Sequence, residues 1–417
     1  MNMDHDLFDE VTAAARPRKY DAWILAAAAL VLIGAAAFFV GALGERPQRA
    51  WQAFLVNFMF WFGIAGGSLM FSAMLIITRA VWGRSIKRLA EAPVLFLPVA
   101  FVLFGALYFG REHLFAWIHE PLPGKAAWLN VPFFFSRDGV MLFVLAAFGL
   151  LLTWHSVKAD LDTLSKGRPP LPAAIDTGRH GRLQMIYANI FGLLYAVIFS
   201  LLAFDLMMSL SPHWYSTLFG AYYFVGSFFT GLAFLMLMVC IAVTRSGLKQ
   251  FIFKKQLHSL GMLMFGFCVM TADFFYVQFL VIWYGNIPEE TRFMIERIHQ
   301  HPWNRLTWVV LFVAFIIPFA ILLFRRIKMM PLFMIGVSVV ILTGMWLEKI
   351  LVIAPSIWPL PDIPIGWLEI FVTAGFAGLM GLCILLFLSR FPVLPVGDPI
   401  FYKTIEPAFP MSTDGHG

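Results

Sequence analysis

The sequence predicts an all-α membrane protein of ten transmembrane helices, built as two four-helix bundles (helices 2–5 and 6–9) with the first and tenth helices peripheral. Three observations lead there. Hydrophobic residues fill 60% of the 417 positions and charged residues 13%, about half the charged share of a soluble domain. Apolar runs long enough to cross a bilayer, about 20 residues each, recur along the whole chain. The stretch from Trp51 also matches the stretch from Trp214, which signals an internal duplication.

The runs begin near Ala22, Phe54, Ala92, Phe133, Tyr187, Leu218, Leu260, Leu306, Pro331 and Gly366. The third and eighth are the weakest, because AEAPVLFLPVAF carries two prolines and the run after Trp303 meets Pro318. Residues 1–21 read as a polar tail leading into a retained first helix, 22–388 as the membrane domain and 389–417 as a second tail. Bundle one covers about 51–212 and bundle two about 214–355.

Lys and Arg concentrate in alternate connections: Arg16, Arg18 and Lys19; Arg79, Arg84, Lys87 and Arg88; Lys158, Lys166, Arg168, Arg179 and Arg182; Arg245, Lys249, Lys254 and Lys255; Arg325, Arg326 and Lys328; Arg390 and Lys403. The positive-inside rule therefore puts both termini in the cytoplasm. Spread over short loops, the +6 charge forms no single basic patch, so nucleic acid is not an expected partner; lipid is. Cys240, Cys268 and Cys383 lie in apolar runs without a C-x-x-C pair, so neither a disulfide framework nor an iron–sulfur site is expected.

The duplication pairs Trp51 with Trp214 and Gly63 with Gly226. Aligning FDLMMSLSPHW with LEKILVIAPSI by Pro212 and Pro355 sets Asp205 opposite Glu348. At 1.5 Å per residue each acid lies roughly 10 Å inward of its proline. Asp273, in MTADFFYVQF, stands nearer mid-helix. A carboxyl in hydrocarbon normally has a task or a partner, and apolar surroundings suit it to taking up and releasing protons. Asp205, Asp273 and Glu348 are thus relay candidates, with Tyr276, His258 and His213 as accompanying proton carriers. The competing readings are an ion pair of Glu348 with Lys349, and polar groups that only bind helices together.

Most histidines sit at helix ends and in loops, so two imidazoles facing each other across a bundle, as a membrane haem requires, are not expected; the chain should carry no metal. The loop FGREHLFAWIHEPLPGKAAWLNVPFFFSRDG mixes charges with aromatics. Its His113, Arg137 and Asp138, with Trp214, form the candidate quinone site, because a quinone needs an apolar slot and partners for its oxygens.

The strings SLLAFDLMMSLSPHWYSTLFGAYYFVGSF, DFFYVQFLVIWYGNIPEETRF and RFPVLPVGDPIF resemble the polysulfide-reductase-like (NrfD-like) membrane subunits, most closely the F-type quinol-oxidoreductase subunit of bacterial alternative complex III. The resemblance runs over nearly the whole chain. It implies two four-helix bundles, no bound redox cofactor, a bacterial inner-membrane location, and assembly with a homologous membrane subunit, an iron–sulfur subunit and c-type haem subunits. It also implies that quinol oxidation belongs to the sister subunit, whose pattern this chain does not follow, and that Asp205, Asp273 and Glu348 belong to a proton path. The expected function is therefore that of a membrane subunit of a quinol:cytochrome oxidoreductase. The alternatives are a secondary transporter and a purely structural anchor.

Overall fold

A computed structural model describes residues 2–120, 122–167, 178–245, 247–360 and 362–405. Arg168 and the end of the C-terminal tail, 406–417, lie outside the described residues. The ten membrane-crossing helices are present. In chain order the helices are α1 (Asn2–Ala15), α2 (Asp21–Ala42), α3 (Pro47–Ile77), α4 (Arg84–Leu114), α5 (Val131–Lys166), α6 (Arg179–Leu206), α7 (Leu218–Arg245), α8 (Lys254–Gly285), α9 (Pro288–Ile298), α10 (Trp303–Leu322), α11 (Pro331–Ile357), α12 (Trp367–Arg390) and α13 (Pro399–Ile405).

Helices α3 to α6 pack as one bundle, α7, α8, α10 and α11 as the other, and α2 pairs with α12 beside α3. The leading helices of the two bundles, α3 and α7, form the centre and are 83% and 72% buried along their apolar windows. Small residues allow this. A Cβ on Gly67 would overlap the Ser227 carbonyl, and one on Gly231 would meet the Gly67 backbone, so the backbones touch where only glycine fits. Gly34 and Gly375 do the same for the α2–α12 pair.

The proline-marked helices are irregular where the sequence says they should be. Around Pro93, α4 tightens to a 3-10 turn over Ala92–Leu95. Ahead of Pro318, α10 widens into a π segment over Leu311–Ile316, because proline removes a backbone donor and displaces the carbonyl a turn earlier.

The tails are more ordered than a polar composition suggests. α1 buries Phe8, Val11 and Ala15, and the Val393 N–H donates to the Ala15 carbonyl at 3.0 Å. Both terminal segments therefore meet at one end of the molecule, called below the terminal face.

Candidate functional site

Beyond the other face, α5 begins where Asn130 caps it, its Oδ1 accepting from the Phe133 N–H at 3.0 Å, with Pro132 in the first turn. That start brings Arg137 and Asp138 to the last turn of α6, where Asp205 is fully buried. The Trp128 indole donates to Asp205 Oδ1 at 2.8 Å. Arg137 Nη2 stands 2.8 Å from Asp205 Oδ2, and Arg137 Nε donates to Asp138 Oδ1 at 3.1 Å. The guanidinium lies 3.9 Å from the Trp128 ring centroid, a cation–π seat that shields it from water.

Two buried carboxylates thus face one guanidinium. Asp138 Oδ2 has no hydrogen-bond partner among the described residues, and Asp205 sits at a helix C-terminus, whose dipole disfavours negative charge. The excess negative charge is balanced most directly by a proton held between the two acids. Overhead, Lys125 Nζ donates to the Pro212 carbonyl at 2.6 Å, tying the loop to the segment after α6; burial pushes its pKa down.

The aligned acid of bundle two is built differently. Glu348 Oε1 accepts from the Tyr222 hydroxyl at 2.7 Å and Oε2 from Lys349 Nζ at 2.5 Å. Lys349 is buried and lies 5.0 Å from the Tyr223 ring centroid. Glu348 thus has its own countercharge in Lys349. The segments at the two aligned prolines meet: Ser211 and Ser356 are hydrogen-bonded at 2.7 Å.

Glu348 and Tyr222 border a small cavity that Trp214, Phe275 and Phe315 also line. Trp214 stacks on Phe293 with centroids 3.7 Å apart. Arg297 closes the cavity, donating to the carbonyls of Phe293, Leu351 and Val352. Burial pushes its pKa down to about 9, so it remains a cation at neutral pH.

The four residues of the candidate quinone site do not meet as one group. Arg137 bridges Asp138 and Asp205, Trp214 lines the second-bundle cavity, and His113 is exposed at the end of α4. Among the proton candidates, His213 is exposed and His258 half-buried, while Asp273 and Tyr276 point outward from α8.

A third ionic group lies at the terminal face, where the cations that the positive-inside pattern assigns to a loop are in fact buried. Arg88, fully buried, contacts both Glu91 and Asp160. Glu91 also accepts from Ser72 at 2.9 Å and Ser156 at 3.1 Å. Lys87 donates to Gln184 at 3.0 Å, and Arg84 to Asp398 at 2.9 Å. The Gly397 N–H donates to Asp160 Oδ1 at 2.8 Å. Three cations, Arg84, Lys87 and Arg88, are matched by three acids, Glu91, Asp160 and Asp398. Burial alone would raise the Asp398 pKa, but Arg84 and Lys87 outweigh it and hold the carboxyl below its ordinary value. The one local signal was Glu91, three residues after Arg88 at the edge of an apolar run, a helical pairing distance.

Comparison of the chain with protein-family models and with curated proteins finds no match.

Proposed function

We propose that this chain is an integral membrane subunit of a quinol-oxidising electron-transfer complex of the alternative complex III kind, with proton handling as its own contribution. The supporting observation is the Asp138–Asp205 pair sharing Arg137. A buried dyad with one carboxylate in excess holds a proton at low cost and gives it up when a nearby charge changes. The motif resemblance supplies the physiological setting: quinol oxidation in a partner subunit, with electrons passing to iron–sulfur and haem subunits in a bacterial inner membrane.

In this reading Asp205 and Asp138 are the proton-holding pair. The Trp128 and Arg137 donors orient Asp205, and Lys125 closes the loop above it. Glu348, neutralised by Lys349, holds α11 against α7.

The transporter alternative expects broken helices at corresponding places in the two repeats. The irregular turns instead fall in the second helix of bundle one and the third helix of bundle two. The test is made on the intact complex in sealed vesicles. Asp205→Asn and Asp138→Asn should each lower the protons released or moved per electron while subunit content stays unchanged. An unaltered stoichiometry in both variants would sink the proposal and favour a structural anchor.

A further inference from the structure

Asp273 is an acid carried by the membrane-crossing helix α8. It lies 3.5 residues from the midpoint of α8 (Lys254–Gly285), or about 5 Å along a helix axis that rises 1.5 Å per residue. That is well inside a hydrocarbon layer about 30 Å thick. Its side chain points out of the molecule and has no hydrogen-bond or ion-pair partner among the described residues. Lipid chains offer neither donor nor countercharge, so a carboxyl exposed to them at this depth is strongly unfavourable.

The surrounding face has a pattern. Met262, Gly266, Val269, Asp273, Tyr276 and Trp283 are all outward-facing, and with half-buried Leu280 they follow an alternating four-and-three spacing. That spacing is the seam of a left-handed helix pair, and a polar residue within such a seam fixes register and partner. The helix is also poorly covered by its own chain: 22% of its apolar window is buried, against 72% for α7. Beside Asp273 the face is concave, with a cleft lined by Ala272, Phe315, Ile316 and Phe319, of which Phe315 and Ile316 belong to the π segment of α10.

We propose that this seam docks a transmembrane helix of a different polypeptide, which sets a Lys or Arg against Asp273 in the cleft. Charge complementarity selects that occupant. A second copy of this chain, seated face to face on the same seam, would oppose two Asp273 carboxyls. The inference stands independently of the proton-handling reading, because it needs only that α8 crosses the membrane.

The test uses native membranes containing the full complex. A photo-crosslinking residue at Met262, Val269 or Tyr276 should capture one and the same polypeptide, through a transmembrane peptide carrying Lys or Arg. The same probe at the lipid-facing Leu32 or Val40 of α2 should not capture it. Asp273→Leu, which inserts readily, should keep the chain's yield and helicity but lose the partner on purification in mild detergent. Asp273→Lys should lose it too, and acid substitution of the captured basic residue should restore it. Adducts to a second copy, no adduct on the seam, or a partner retained by Asp273→Leu would each overturn the proposal.

Discussion

Asp205 and Glu348, which the sequence aligns, have neighbours that give the two acids opposite characters. They also lie differently in their helices: α6 already ends at Leu206, ahead of Pro212, so Asp205 is in the last turn rather than roughly 10 Å inward, whereas α11 runs on to Ile357. Removing the Asp205 charge leaves Arg137 paired with Asp138, so Asp205→Asn should cost only about 1 kcal/mol, the net worth of one hydrogen bond. Removing the Glu348 charge strands Lys349, which is 3% exposed; breaking such a buried pair typically costs about 3–5 kcal/mol. Thermal unfolding in detergent should therefore separate Glu348→Gln from Asp205→Asn clearly. The double change Glu348→Gln with Lys349→Met should recover most of the loss, since an apolar replacement of both partners leaves no unpaired charge. If Glu348→Gln proved as stable as the parent, the assignment of Glu348 as a holding contact would fail.

At the scale of the helix, glycine separates positions that decide packing from positions that do not. Gly67 lies where α3 crosses α7, with the Ser227 carbonyl in the space a Cβ would take. Gly67→Val must push the central helices apart, and overpacking of this kind costs about 1–3 kcal/mol or more. Gly105 on α4 has open space around its Cα and an ordinary helical backbone. Gly105→Ala should be neutral or stabilising, by up to about 1 kcal/mol. Comparing the two unfolding midpoints checks whether the contact of the bundles, rather than helix propensity, sets stability. The helix irregularities follow the same logic: Pro93 and Pro318 announced them, but only packing determined that one became a 3-10 turn and the other a π segment.

At the scale of the whole molecule, the ionic group at the terminal face joins α4, α5 and the segment after α12. Asp398 is its link to the C-terminal segment. Because its pKa is held below the ordinary carboxyl value, the stability it contributes is fully present above the unfolded value, about 3.9. That stability is lost as pH falls through the folded value. The backbone amides of residues 393–405 should accordingly keep their protection from hydrogen exchange from neutral pH down to about pH 4 and lose it below. Asp398→Asn should release the same segment at neutral pH, because Arg84 and Lys87 would then lack their countercharge. Protection that stayed constant through the acid range would show that apolar burial of Val393, Leu394 and Val396 suffices without the ion pairs.

Composition and apolar run length determined the ten helices by themselves, because backbone groups in hydrocarbon must be satisfied within the helix that carries them. The proline alignment likewise singled out Asp205 and Glu348, both of which are buried, and the motif in RFPVLPVGDPIF already contained Gly397 and Asp398. What the chain order could not supply was the countercharge each acid meets. Arg137 and Asp138 lie far from Asp205 in sequence, Tyr222 far from Glu348, and Asp160 far from Arg88, and such pairings exist only once helices have packed. The face of α8 that carries Asp273 was equally undecided, since an apolar helix shows little contrast between its lipid-facing and protein-facing sides. Local hydrophobicity thus set which segments cross the bilayer. Tertiary packing alone set which countercharge each buried acid meets.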